Sequence, residues 1–345
     1  MTGVRMADFG PRRLYLAFTP YHLLVCLAVQ ERDGFPPATV LFADEAGLAD
    51  HAPGFVTGLA PYLEVVLRPR LEIGSTVTYP WRCRSLARGA RRALVELQPV
   101  SEIFVANGVR PESFGVLRTA RGAKVHYLED GFDAYVACNR QDIARWHRSA
   151  HRLLCGHPHP STRDMTEVAP YAAYHVVAPE IARTPRALTA PVPRSSLAFA
   201  AAVVADALPL TRPSQWITDL FTLGNTERLP DPARYLSRIA DRIDRLRGEV
   251  PSAYVAVKAH PRERDVDFLD GLSQLCDFVV PHWAPAEVLC GSLDANVRIY
   301  TTAATFLITS RLLVPDRELH LEGGLEGAAR EMFFRWDPQL VGTGG

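Results

Sequence analysis

The chain has 345 residues, and its shares of hydrophobic residues (48%) and charged residues (22%) are ordinary for folded globular proteins, which argues against a disordered or fibrous chain. Its 38 basic and 38 acidic side chains give a formal net charge of zero, so the chain lacks the positive field that holds nucleic acid, and we expect no nucleic acid partner. At roughly 150 residues per domain, the length predicts about two domains.

The first half of the chain alternates short apolar runs with stretches of helical spacing. The predicted strands are residues 14–18, 39–42, 63–67, 102–106 and 124–128, and the predicted helices are residues 21–32, 84–97 and 112–121. Strands separated by helices indicate βαβ units and a parallel sheet covered on both faces. We therefore predict an α/β domain of the Rossmann type.

Prolines and small or polar residues concentrate between residues 179 and 194, a composition typical of a connection between domains. The alternation then resumes with residues 215–223, a helix over 233–246, and strands over 253–258, 277–280 and 297–300. We predict two Rossmann-like domains, residues 1–185 and 186–345. Ligands of open α/β sheets bind beyond the carboxyl ends of the strands, so we expect both sheets to face a shared cleft.

Cysteine usage and hydropathy bear on where the protein works. The six cysteines are scattered without a CxxC pair, which is typical of the reduced thiols of a cytoplasmic protein. We find no cleavable signal pattern, and the apolar stretch 14–29 is shorter than the roughly 20 residues that span a bilayer. We expect a soluble cytoplasmic protein that is at most peripheral to the inner face of the cell membrane.

An acidic pair follows the predicted strand 124–128. Glu129 and Asp130 precede Gly131, and a paired acid at a strand end can supply a general base, since like charge and partial burial raise one pKa. The alternative is a solvated turn, because Asp-Gly is a common turn dipeptide.

A basic motif with a histidine follows the predicted strand 253–258. Lys258, at the strand end, is followed by Ala259 and by His260, whose direction Pro261 restricts. With Arg262, the motif suits a phosphate, which the cations neutralise and to which an imidazole can donate a proton. The alternative is an ordinary strand end with solvated neighbours.

Two further candidates lie near the carboxyl terminus. Thr301 and Thr302 are predicted to begin a helix that runs to residue 313, where hydroxyls and free amides can bind an anion or simply cap the helix. Glu287, at the start of another predicted helix, could accept ribose hydroxyls or complement the helix dipole.

A polar motif also follows the first predicted strand, where it would face the cleft. It consists of Thr19, Pro20, Tyr21 and His22. His22 is a candidate for contact with an acceptor substrate, although a histidine in the first turn of a half-buried helix is more often structural.

Metal binding is not expected. The clustered residues His147, His151, Cys155, His157 and His159 match no zinc spacing. Asp265-Val266-Asp267 resembles a motif that binds a metal and a nucleotide, but it lies beyond the strand among arginines and fits a solvated helix start. We predict no metal and no other cofactor.

Four of these motifs occur in a collinear order that spans almost the whole chain. They are Thr19-Pro20-Tyr21-His22, Glu129-Asp130-Gly131, Lys258-Ala259-His260-Pro261 and Thr301-Thr302. This order resembles the bacterial sialyltransferases of the lipooligosaccharide sialyltransferase and capsular polysialyltransferase type. Those families carry an acidic-acidic-glycine motif, a His-Pro motif and a Ser/Thr pair, in which serine is frequent where this chain has Thr-Thr. The resemblance implies a GT-B fold and inverting, metal-independent transfer from CMP-sialic acid.

The resemblance also implies roles for the motif residues. Glu129 or Asp130 would be the base on an acceptor hydroxyl in the first domain, and His260 would assist departure of the CMP phosphate. Thr301 and Thr302 would hold that phosphate in the second, donor-binding domain. The implied partners are a CMP-activated sugar and a glycan or lipid-linked glycan acceptor. Whether the protein forms a homodimer is left open by the sequence. Two alternatives are a transferase for another CMP-sugar, such as a Kdo-like or other nonulosonic acid, and a nucleotide-binding protein without turnover.

Overall fold

Two parallel β-sheets organise the chain in the computed structural model. The described residues are 12–44, 47–68, 79–97, 99–108, 110–120, 122–135, 145–156, 171–208, 217–224, 231–261, 263, 265–291, 293, 296–302, 305–322 and 327–342. Arg262, His157 and His159, which were considered above, lie outside these residues.

Among the described residues, the first sheet has seven parallel strands in the order β3-β2-β1-β4-β5-β6-β7. They are β1 (Arg12–Ala17), β2 (Ala38–Ala43), β3 (Glu64–Arg68), β4 (Val100–Val105), β5 (Lys124–Leu128), β6 (Ala173–Val176) and β7 (Thr189–Pro191). The helices of this half are α1 (Pro20–Arg32), α2 (Leu48–His51), α3 (Phe55–Leu59), α4 (Tyr79–Leu97), α5 (Pro111–Leu117), α6 (Arg145–Cys155) and α7 (Arg194–Ala207).

The second sheet, as far as the structure describes it, has six parallel strands in the order β10-β9-β8-β11-β12-β13. They are β8 (Asp219–Thr222), β9 (Val255–Lys258), β10 (Phe278–Val280), β11 (Arg298–Thr301), β12 (Leu319–Leu321) and β13 (Val341–Gly342). Its helices are α8 (Pro232–Glu249), α9 (Val266–Leu275), α10 (Glu287–Cys290), α11 (Thr305–Leu313) and α12 (Gly327–Trp336).

Burial explains why these segments take their places. Helix α1 is apolar almost all round, with residues 22–30 buried, as expected of a helix that lies inside the domain. Helix α8 instead buries a single stripe, in which Tyr235, Ile239, Ile243 and Leu246 recur at helical spacing and join the core that covers β8 and β9. Both sheets are thereby covered as the sequence predicted, and the α/β class is confirmed.

The chain divides into two compact units, residues 1–45 with 56–200, and residues 46–55 with 201–345. The short helix α2 therefore belongs to the second unit, although in the sequence it comes between β2 and β3 of the first sheet. The predicted boundary at residues 185 and 186 lies just before β7, which pairs with β6 in the first sheet.

Three predicted helices are displaced at one end by four or five residues: the helix predicted over 84–97 begins at Tyr79, the helix predicted over 112–121 ends at Leu117, and the third is the helix near Thr301. The helix expected to begin at Thr301 begins at Thr305, because Thr301 is the last residue of β11 and pairs with Leu321. Within the described part of the chain, no helix combines the length and the apolar composition needed to cross a bilayer.

Candidate active site

Glu129, directly after β5, is an internal anchor of the first unit. Its side chain is fully buried, and three donors reach its carboxylate: the hydroxyls of Tyr21 and Tyr135, and the backbone N–H of Val177 at 2.7 Å. Burial, and next the neighbouring Glu129 charge, raise the pKa of Tyr135, so that its phenol stays protonated and donates. A carboxylate enclosed in this way holds β5, β6 and α1 together.

Asp130, the next residue, is placed differently. Its side chain keeps 15% of its surface exposed, and its two carboxylate oxygens meet two separate partners. Oδ1 lies 2.9 Å from Nε2 of His22, and Oδ2 accepts a hydrogen bond from Nδ2 of Asn107 at 2.5 Å. The Asp130 carboxylate is therefore both oriented and open to solvent.

The tautomer of His22 follows from its other ring nitrogen. Nδ1 accepts the backbone N–H of Phe18 at 3.2 Å, so the proton of the neutral ring is on Nε2, which donates to Asp130. His22 thus has both nitrogens engaged within the protein. It positions Asp130 and has no free nitrogen with which to take a proton from a substrate.

The local sequence explains how these groups meet. Thr19 caps α1 by accepting the backbone N–H of His22, and Pro20 occupies the first turn, so the helix begins directly after β1. Gly131 has φ of 69°, a left-handed conformation that a side chain would strain, and a short 3₁₀ turn (Gly131–Ala134) then leads to Tyr135. The motif after β1 and the acidic pair after β5 therefore form one network.

The network lies at the switch point of the first sheet, where strand order reverses between β1 and β4. His22 comes from the helix after β1, Asn107 follows β4 by two residues, and Asp130 follows β5 by two. Open α/β sheets bind ligands at this point. Sequence reasoning missed Asn107, although the rule of inspecting residues just after each strand would have found it.

In the second unit, Lys258 is an internal anchor comparable to Glu129. It is 2% exposed, and its Nζ donates to the carbonyl oxygens of Ala259 at 2.6 Å and His282 at 2.8 Å. Burial lowers the pKa of Lys258 to about 7, while the charge of Glu287 acts in the opposite direction. Lys258 therefore ties together the loops after β9 and β10, and its amine is not presented to solvent. His260 and Pro261 follow it and are partly exposed.

Glu287 is also buried, with Oε1 accepting the hydroxyl of Thr309 at 2.9 Å. Burial raises the pKa of Glu287, and the Thr309 hydrogen bond and the Lys258 charge oppose the rise. Its position in the core is suited to stabilising α10 against α11 and is not open to a ribose hydroxyl.

Three threonines lie at the strand ends of the second sheet. Thr222 of β8 pairs in register with Lys258 on one side and Thr301 on the other, across the switch point between β8 and β11. Thr301 is fully buried and its hydroxyl donates to the carbonyl of Thr302 at 3.1 Å, whereas Thr302 is partly exposed. The hydroxyl of Thr222 is buried and has no hydrogen-bond partner within the described residues. Sequence reasoning did not single out Thr222.

Asp265 also has a defined place. It is the N-cap of α9, where its carboxylate accepts the backbone N–H of Phe268 at 3.0 Å. This agrees with the helix start that the sequence favoured for Asp265-Val266-Asp267.

No protein-family model and no curated protein sequence matches this chain. Solved structures match it along nearly its whole length. UDP-GlcNAc 2-epimerase of Methanocaldococcus jannaschii, solved with UDP-GlcNAc and UDP, has 13% identity and a TM-score of 0.60, with 96% of this chain and 89% of that chain covered. The α/β-galactoside α-2,3-sialyltransferase of the luminous marine bacterium Photobacterium phosphoreum has 7% identity and a TM-score of 0.56, with 96% and 98% covered.

A third match is the 2,6-sialyltransferase of Photobacterium sp. JT-ISH-224 in a ternary complex with CMP and lactose. It has 10% identity and a TM-score of 0.53, with 96% of this chain and 78% of that chain covered. At such identities the likeness shows the fold. The chain has the GT-B fold of two Rossmann-like domains, and the predicted fold class is confirmed.

Proposed function

We propose that this protein is a glycosyltransferase that moves sialic acid from CMP-sialic acid to a glycan hydroxyl, with inversion and without a metal ion. The observation that carries the proposal is the Asp130 carboxylate, held by His22 and Asn107 at the switch point of the first sheet while keeping a solvent-exposed edge. The motif order along the sequence, and the GT-B fold shared with two sialyltransferases, support the same function.

The proposed chemistry begins at Asp130. Its carboxylate takes the proton of the acceptor hydroxyl as the acceptor oxygen forms a bond to the anomeric carbon of the sugar. The bond between that carbon and the phosphate oxygen breaks, and its electron pair leaves with CMP. We assign the base to Asp130 rather than Glu129, because the Glu129 carboxylate is fully buried and already receives three donors.

The departing phosphate gains negative charge, so donors aimed at it lower the barrier. We assign this role to His260, which follows the β9 strand end, and to Thr302, which is partly exposed after β11. Thr301 supports Thr302 through its hydrogen bond to the Thr302 carbonyl. Lys258 has its amine committed to two carbonyls, so its part is to hold the loop that carries His260.

The test is release of the nucleotide, CMP or UDP, from donors offered one at a time. CMP-sialic acid, CMP-Kdo and UDP-GlcNAc are each incubated with the protein and lactose, with and without excess EDTA. We expect CMP release and sialylated product from CMP-sialic acid, insensitive to EDTA, and loss of both in Asp130→Asn. Asp265→Asn is the matched control, because asparagine caps a helix as well as aspartate does.

Other outcomes would contradict the proposal in distinguishable ways. Turnover of CMP-Kdo alone would reassign the donor sugar, and turnover of UDP-GlcNAc alone would remove the CMP-sugar class. Saturable CMP binding without release from any donor would indicate a binding protein. A metal requirement restored by Mg²⁺ would refute the metal-independent mechanism.

A further inference from the structure

Helices α4 and α6 of the first unit both expose large apolar side chains. Trp81 of α4 is 68% exposed, and Leu153 and Leu154 of α6 are 76% and 55% exposed. Single exposed apolar residues are normal on protein surfaces, but neighbouring large ones mark an interaction surface.

The two helices are in contact at this place. Nη2 of Arg84 donates to the backbone carbonyl of Leu153 at 2.9 Å, and the thiol of Cys83 is hydrogen-bonded to that of Cys155. The first turns of α4 therefore lie against the last turn of α6. Trp81 is within one helical turn of Arg84, so it belongs to the part of α4 that meets the end of α6.

The solvent side of α4 is basic as well as aromatic. Cys83, Ala90 and Leu94 recur at helical spacing and form its buried face. The opposite face, which we call the α4 basic face, consists of Trp81, Arg84, Arg88, Arg92 and Val95, spaced by three, four or seven residues.

The charge of this surface is local. Helix α4 carries five arginines and one glutamate, whereas the whole chain has a formal net charge of zero. Arg82, Arg88, Arg91 and Arg92 are all exposed. The protein as a whole is neutral, but this surface combines arginines with an exposed tryptophan and two leucines. The partner that fits such a surface in charge and polarity is anionic outside and apolar inside.

We propose that the α4 basic face, together with Leu153 and Leu154, binds the surface of an anionic phospholipid bilayer. Arginines close to such a surface gain from its negative potential. Tryptophan and leucine side chains enter the boundary between headgroups and acyl chains, where tryptophan is favoured. A second copy of this chain fits less well, because a two-fold contact through this face would bring arginines against arginines.

The test is sedimentation of the full chain with vesicles, in the absence of any sugar donor or acceptor, so its result is independent of the proposed function. We expect binding to vesicles of phosphatidylcholine and phosphatidylglycerol (3:1) and little binding to phosphatidylcholine alone. Reversal of two arginines, Arg88→Glu with Arg92→Glu, should weaken binding by at least about 25-fold, at about fivefold for each arginine.

A control and an apolar variant separate charge from insertion. Arg234→Glu with Arg245→Glu makes the same change of charge on exposed positions of α8 and should leave vesicle binding unchanged. Trp81→Ser with Leu153→Ser should weaken binding by about tenfold or more without altering charge.

Three results would overturn the proposal. The first is equal loss of binding in the α4 and α8 charge variants, which would indicate a general charge effect. The second is unchanged binding in the Trp81 and Leu153 variant. The third is failure to bind the anionic vesicles together with tight binding of single-stranded RNA that the α4 reversals abolish, which would make the surface a nucleic acid site.

Discussion

Glu129 and Asp130 are adjacent in sequence, and we predict that their amide variants fail in opposite ways. Glu129→Gln keeps the shape of the side chain but removes the charge that the hydroxyls of Tyr21 and Tyr135 and the N–H of Val177 surround, and the Tyr21 hydroxyl must turn from donor to acceptor to meet the new NH₂ group. Asp130→Asn removes a charge that is partly exposed and has two adaptable partners, since the amide of Asn107 can turn over to accept.

The magnitudes follow from these contacts. A hydrogen bond to a charged group contributes about 1 kcal/mol more than a neutral one, and Glu129→Gln makes three such hydrogen bonds neutral. Glu129→Gln should therefore destabilise the first unit by about 2–4 kcal/mol, which lowers its melting temperature by roughly 5–15 °C. Asp130→Asn should cost less than about 1 kcal/mol, yet it should lower sialyl transfer by about 10²- to 10⁴-fold, as expected when a general base is lost.

Thermal unfolding, CMP binding by calorimetry and initial transfer rates are measured for both variants and the parent. We expect Asp130→Asn to fold and bind CMP normally while transferring poorly. We expect the residual transfer of Glu129→Gln, measured well below its melting temperature, to exceed that of Asp130→Asn. A stable but inactive Glu129→Gln beside an active Asp130→Asn would refute the assignment, and so would normal transfer by both.

Three further predictions test other parts of the structure. Gly115→Ala should destabilise the protein by about 1–3 kcal/mol in thermal unfolding, because a methyl group there overlaps the backbone of Ala87 where α5 meets α4. Gly89→Ala in α4, where a methyl group meets open space, should be neutral or stabilising by up to about 1 kcal/mol. Equal effects of the two substitutions would contradict this packing. His260→Ala should leave stability unchanged and lower CMP release by about 10²- to 10⁴-fold, and near-normal release would exclude it from the mechanism. The folded-state pKa of Lys258, about 7, lies below its ordinary value of 10.5, so the unfolded chain binds more protons between these two pH values and the free energy of unfolding should rise with pH there. From pH 7.5 to 9, urea unfolding should show that the parent gains about 2 kcal/mol of stability relative to Lys258→Met. If the stabilities of the two proteins change in parallel with pH, Lys258 is not buried as a free amine.

Hydrophobic patterning predicted most of the central strands, because a buried parallel strand is an apolar run whatever its neighbours are. Strand β5 was predicted with its observed bounds. Both ends of β1, β2, β3 and β4 were predicted to within two residues. Strands β6, β7, β12 and β13 escaped prediction, whereas the edge strands β3 and β10 were predicted. Strand β7 is three residues long and ends in Pro191, and β13 has two residues, so their pairing depends on tertiary contacts more than on local sequence.

The candidate site was predicted as motifs but not as a network. The rule that ligands bind beyond strand ends directed attention to the neighbourhoods of His22, Asp130 and His260. It could not show that the hydroxyl of Tyr21 serves Glu129, or that Tyr135 returns to the same carboxylate, because these contacts join segments far apart in the chain or across a turn. The same rule could not show that Lys258 is buried, since a lysine near a histidine and an arginine is expected to be a solvated cation.

Each unit buries an ionisable side chain close to a residue that is proposed to take part in the chemistry. Glu129 precedes Asp130, and Lys258 lies two residues before His260. A buried ionisable group is tolerated only when surrounding polar groups satisfy it, so each one fixes the loops that supply its partners: the segments that carry Tyr135 and Val177 in the first unit, and the loop that carries His282 in the second. The partly exposed neighbour is then held by a rigid loop, as transfer chemistry requires, because small displacements of a general base or proton donor are costly in rate. It follows that substitution of Glu129 or Lys258 should reduce activity through position and stability, whereas substitution of Asp130 or His260 should reduce it in a protein that is otherwise unchanged.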